Sequence, residues 1–158
     1  MYWAIWVGIV ILCLVLQTVY GNIVTICGIK PDFLLVIIIF FAFRRSTFES
    51  GIIGFIAGIL QDSLSGDILG INAFTKLIMG LIASTIKKMY AENLISILLS
   101  IFVLTLVQSL LIFALQSIFV KSVVEISTMN RILLIALYNT VIGILVFPIF
   151  HNAKRGEE

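Results

Sequence analysis

The way charge is distributed along this chain constrains its fold more than any other feature. Between Trp3 and Phe150 the sequence is a succession of apolar runs, and most charged residues fall in the short breaks between them. Runs approaching ~20 residues match the hydrocarbon thickness an α-helix must cross. The period-2 alternation of a membrane barrel is missing, which leaves helices to satisfy the backbone in lipid. Only 11% of residues are charged and 61% are hydrophobic, about half the charge of an average soluble domain. The bilayer is therefore the expected solvent. The pattern predicts an all-α integral membrane protein, one domain over residues 1–158, with six transmembrane helices at about 3–20, 31–43, 48–64, 69–86, 94–120 and 131–150.

The ends of these runs carry the next layer of information. No basic residue precedes the first run and no small-residue cleavage site follows it, which argues against a removed signal peptide. Trp3 and Trp6 at one end and Tyr20 at the other suit the two membrane interfaces. Pro31 and Asp32 read as a helix start, since Pro fits the first turn and Asp favours the positive end of the helix dipole. The run they open stops at Arg44-Arg45, so this span is short. It must thin the bilayer, begin below the surface, or be shielded by neighbours. The fifth run is long and contains Gln108 and Gln116; the sixth holds Asn139 and Pro148, with the tail after it read as frayed. With an even number of spans, Arg44, Arg45, Lys87, Lys88, Lys154 and Arg155 share one side and Lys30, Lys121 and Arg131 the other. That bias places both termini in the cytoplasm.

Residues 51–72 are the most informative stretch. Gly51, Gly54, Gly58 and Asp62 share one helix face. A face without side chains lets another helix backbone approach closely. It reads either as a packing seam ending in an interfacial acid or as a buried polar site at a helix contact. The seam can serve an internal helix or a partner's helix. Asp67 suits an N-cap of the following helix. Lys76 is the basic residue well inside a predicted span, on one face with Asn72 and Gly80. At that depth it needs an anionic partner or must snorkel. Asp62 is the nearest acid in the hairpin, and the lysine side chain points back toward the helix N-terminus. The expectation is that Asp62 and Lys76 interact, directly or through Asn72 or water. Asn139, Gln108 and Gln116 read equally well as interhelical hydrogen-bonding residues.

Catalytic constellations are missing from the sequence. Its one histidine, His151, sits in the tail, so no Ser-His-acid or Cys-His set can be built in the bundle. No metal-ligand spacing surrounds it, and no phosphate loop of the GxxxxGK[ST] type occurs. No catalytic residue, metal or cofactor is expected. No basic cluster exceeds two residues, which argues against nucleic-acid binding. Cys13 and Cys27 do not form a disulfide framework.

The ordered features Pro31-Asp32, the Arg44-Arg45 break, Gly51-x-x-Gly54-x-x-x-Gly58-x-x-x-Asp62 and Ser65-Gly66-Asp67-x-Leu69-Gly70-x-Asn72 resemble the MreD family, the bacterial rod shape-determining membrane proteins. Chain length and the six-span layout agree along the whole sequence. The resemblance implies a multi-pass protein of the bacterial cytoplasmic membrane within the cell-elongation machinery. It also implies MreC as direct partner, and the MreB filament, RodA and a class B penicillin-binding protein as complex members. The family is similar in fold to the substrate-binding components of energy-coupling-factor transporters. Those meet their transport partner through an Ala-x-x-x-Ala pattern on the first span. Here the nearest match is Ala4-x-x-x-Gly8, a departure that argues against energy-coupled transport. Two functions follow: a non-catalytic scaffold that binds MreC and couples filaments to peptidoglycan synthesis, or a small-molecule or lipid carrier lined by Asp62, Asn72, Lys76 and Asn139.

Overall fold

The computed structural model describes residues 2–19, 30–66, 68–89, 93–120 and 127–155. They form helices α1 (Tyr2–Val19), α2 (Phe33–Ala42), α3 (Thr47–Ser65), α4 (Ile71–Met89), α5 (Leu94–Val120) and α6 (Ser127–Arg155). α5 coincides with its predicted span. α4 continues three residues beyond its expected end at residue 86, to Met89. α6 begins at Ser127, before Arg131, and runs on through Pro148 to Arg155, so the first part of the tail is helical rather than frayed.

α2 is the axis of the bundle. Every residue from Leu34 to Phe43 is buried, and α2 packs against α1, α3, α4, α5 and α6. A helix apolar on all sides has no face to offer water and is stable when surrounded. This short helix is shielded by its neighbours on every side. The exterior is also apolar. Ile95, Leu99, Leu12 and Leu145 are each more than half exposed, while Lys76, Asn139, Thr75 and Ser50 are fully buried. An apolar outside over a partly polar inside suits a lipid solvent and would aggregate in water. α5 and α6 contain segments, Leu94–Ile118 and Asn130–Pro148, long and apolar enough to cross a membrane.

α3 and α4 form a tight hairpin. Ser46 caps α3 reciprocally with Glu49, a capping box that satisfies two orphan donors. Gly66, at φ 69°, ends the helix in the left-handed region that favours glycine. The seam residues face inward. A Cβ on Gly54 would run into the carbonyl of Lys76, and one on Gly58 into the backbone of Ala73. From the other helix, a Cβ on Gly80 would meet the Ser50 carbonyl. Gly51 meets only the end of the Leu81 side chain, at 2.8 Å. The seam is thus used by α4 rather than left open for a partner's helix.

One end of the bundle is closed by aromatic rings. Trp6 of α1 packs edge-on against Phe41 of α2, with ring centroids 4.8 Å apart. Phe40 stacks on Phe150 of α6 at 4.7 Å, and the Arg44 guanidinium lies over the Phe150 ring at 5.6 Å. Trp6 is therefore packed into the bundle rather than exposed on its outside. These contacts bring the start of α1, the end of α2 and the end of α6 to the same end of the molecule.

Candidate functional site

The buried charged and amide side chains fall into two clusters. The first is built on Asp32, the N-cap of α2. Its Oδ1 accepts from the Leu35 backbone N–H at 3.0 Å. Its Oδ2 accepts from Lys76 Nζ of α4 at 2.5 Å and from Gln108 Nε2 of α5 at 2.7 Å. The Asp32 N–H donates to Asn139 Oδ1 of α6 at 2.9 Å. Asn139 Nδ2 in turn donates to Thr105 Oγ1 at 3.3 Å, and that hydroxyl donates to the Ile101 carbonyl at 2.6 Å. One carboxylate and its own N–H therefore join α2, α4, α5 and α6. The Lys76 side chain is 0% exposed and that of Asp32 is 14% exposed, so the ion pair is largely removed from solvent. Such a pair holds only when further hydrogen bonds satisfy the remaining lone pairs, and Gln108 and Leu35 supply them.

Asp62 has a different role. Its Oδ2 accepts from the backbone N–H groups of Gly70 at 2.8 Å and Ala73 at 3.1 Å. Its Oδ1 accepts from the Asn72 backbone N–H at 3.1 Å and from Asn72 Nδ2 at 2.8 Å. Asp62 thus caps α4 from the preceding helix. It satisfies orphan donors of the first turn and places negative charge at the positive end of the dipole. Gly70, at φ 106°, turns the chain so that these N–H groups converge.

The structure corrects the expected pairing. Lys76 is matched by Asp32, not Asp62. Asp62 already has four donors and no need of an ammonium. The α4 terminus is capped by Asp62, and Asp67 lies outside the described residues. Pro31 precedes the Asp32 cap rather than occupying the first helical turn. Asn72, Lys76 and Asn139 are buried as expected, but Asn72 belongs to the Asp62 cap while the other two belong to the Asp32 network. Sequence reasoning did not assign Asp32 as the counter-ion or Gln108 and Thr105 as its neighbours. The available signal was the shortness of the second span. A run that stops early at Arg44-Arg45 has its cap level with Gln108, near the middle of α5.

Beside Asp32 lies a cavity of about 550 Å³. Its wall includes Gln17 of α1, Gln61 and Ser65 of α3, Asn72 of α4 and Gln116 of α5. Among the described residues, no three of His, Cys, Asp and Glu come together as a metal-binding group.

Comparison with known proteins supplies the family. The family model for the rod shape-determining protein MreD matches residues 1–154. Neither the curated proteins nor the solved structures give a match. A match over nearly the whole length, on a helical bundle with a lipid-suited exterior, settles the assignment: the chain belongs to the MreD family of rod shape-determining membrane proteins.

Proposed function

We propose that this protein is a non-catalytic membrane scaffold of the cell-elongation complex, with six spans and both termini in the cytoplasm. It binds an MreC-like partner and couples MreB filaments to peptidoglycan synthesis by RodA and a class B penicillin-binding protein. The observation that carries this reading is the family match over residues 1–154, which implies a role in rod shape. The chemistry of the interior supports it. Lys76, Asp32 and Asp62 are all engaged with one another's helices, as in a bundle built for rigidity rather than for turnover.

The aromatic cluster supports the placement of the termini, because α1 begins and α6 ends beside Arg44. Lys87 and Lys88 occupy the last turn of α4, where they suit the negative end of the dipole and a cytoplasmic interface. With the glycine seam taken up by α4, a partner's helix is left the outward apolar faces. Those of α5 and α6 are wide, with Ile95, Leu99 and Val103 on one and Leu133, Leu137 and Val141 on the other exposed. In lipid such contacts depend on packing rather than on apolar burial.

Depletion in a rod-shaped host tests the function. Cells should become round and wall synthesis should lose its lateral localisation, with nutrient uptake unchanged. Cells that keep their shape but lose uptake of one nutrient would overturn the scaffold reading.

A further inference from the structure

Three buried carbonyl oxygens, Gln17 Oε1, Gln61 Oε1 and Gln108 Oε1, have no hydrogen-bond partner among the described residues. All three belong to residues lining the cavity beside Asp32, and they come from three helices, α1, α3 and α5. Buried acceptors are normally paired, so three at one cavity mark a site. The orientation of the Gln108 amide is set by its surroundings. Its nitrogen donates to the Asp32 carboxylate at 2.7 Å, which leaves the oxygen as the free acceptor. Gln108 is only 3% exposed. A carbonyl oxygen can only accept, so an occupant that satisfies these groups must bring donors.

Charge narrows the class further. The Asp32 carboxylate is matched by Lys76, so it does not select a cation. Lys30 lines the same cavity, is exposed, and has no acidic partner among the described residues. The site therefore combines neutral acceptors inside with one positive charge on its wall. That combination suits hydroxyl donors joined to an anion. A volume of about 550 Å³ falls within the usual range for ligand sites, roughly 300–1,000 Å³.

We propose that this cavity binds a phosphate-bearing polyol. Its hydroxyls donate to Gln17 and Gln61 and reach Gln108 through a bridging water, and its phosphate pairs with Lys30. The chemistry is shared by a lipid head group such as that of phosphatidylglycerol and by a soluble polyol phosphate. Among the described residues, α1 packs on α2 and α3 and meets α6 through the Trp6–Phe150 rings. An occupant held by Gln17, Gln61 and Gln108 would tie α1 and α3 to α5, linking ligand occupancy to the shape of the bundle.

The test uses the full-length protein in phosphatidylcholine nanodiscs doped with phosphatidylglycerol or phosphatidylethanolamine, read by native mass spectrometry and thermal unfolding. Phosphatidylglycerol should be retained in preference to both other lipids. Gln17→Leu and Gln61→Leu should each cut that preference about tenfold, the worth of one hydrogen bond. They should leave the melting temperature in pure phosphatidylcholine unchanged or raised, because each removes an unpaired acceptor. Lys30→Glu, a change at an exposed position, should abolish the preference. If glycerol phosphate binds the wild type with the same dependence on Gln17 and Lys30 while phosphatidylglycerol is not retained, the soluble source is assigned and the shared chemistry stands. Equal retention of all three lipids with no binding of glycerol phosphate would overturn the proposal. So would a preference for phosphatidylethanolamine, or leucine variants that unfold or keep the wild-type preference.

Discussion

Breaking the Asp32–Lys76 pair should have an asymmetric cost, and the asymmetry follows from the geometry. Lys76→Met removes a fully buried ammonium and leaves Asp32 with two donors, Gln108 Nε2 and the Leu35 N–H. The carboxylate is still partly solvated and still caps α2. Asp32→Asn keeps the cap, since asparagine is an equally good N-cap. However, it turns an amide N–H₂ toward both Lys76 and Gln108, or else places one neutral oxygen where an anion had stood. The lysine is then a buried charge without a counter-ion. Removing one partner of a buried pair costs about 3–5 kcal/mol, and Asp32→Asn should lie at the top of that range, with Lys76→Met at or below the bottom. For a chain of this length each kcal/mol corresponds to roughly 2–4 °C in melting temperature, so the aspartate variant should melt about 10–20 °C lower. The double variant Asp32→Asn/Lys76→Met leaves no stranded charge and should recover more than half of the loss. The assay is thermal unfolding of the four proteins in one mild detergent, analysed as a double-mutant cycle. Two single variants within about 1 kcal/mol of wild type would refute the reasoning, because that is the size of an exposed pair. A double variant no better than the worse single variant would refute the coupling.

Three further outcomes are expected. Asp62→Asn should cost about 1–3 kcal/mol by leaving donors of the α4 terminus poorly paired, and its effect should add to that of Lys76→Met in the same unfolding assay, since the two belong to different clusters. Gly54→Ala, Gly58→Ala and Gly80→Ala should each destabilise by about 3 kcal/mol or more, because the new methyl meets backbone. Gly51→Ala should cost about 1 kcal/mol, and Gly8→Ala, with nothing within 4 Å, should be neutral or stabilising by up to about 1 kcal/mol; equal effects across the five positions would contradict the packing described. Reporter fusions should give a cytoplasmic signal at the C-terminus and an external one near Asn130, and the reverse pattern would overturn the topology.

Much of this was legible in the sequence, and the parts that were not share a cause. The helices follow from apolar runs and their breaks, and the bare seam from the spacing of Gly51, Gly54 and Gly58, though not that it faces α4 rather than a partner. A helix start at Pro31-Asp32 was visible, although the pattern points to Asp32 as a dipole partner and not as the N-cap it is. Its role as counter-ion was not visible, because the partner is 44 residues away and reaches it only once α2 is surrounded. Asp62 was assigned to Lys76 because both lie in one hairpin. Local proximity ignored a competing sink for the carboxylate, the first turn of α4, which is equally near and offers several N–H donors. The unpaired oxygens of Gln17, Gln61 and Gln108 carry no sequence signal, since a glutamine in an apolar helix looks the same whether its oxygen has a partner or not.

The most direct test of the scaffold role is co-purification with an MreC-like partner, a single-span protein with a large outer domain, expressed together with this chain and extracted in mild detergent. A complex that elutes as one species and contains both proteins in fixed proportion is expected. Separate elution of two well-folded proteins, in a host whose shape depends on both, would contradict the central claim.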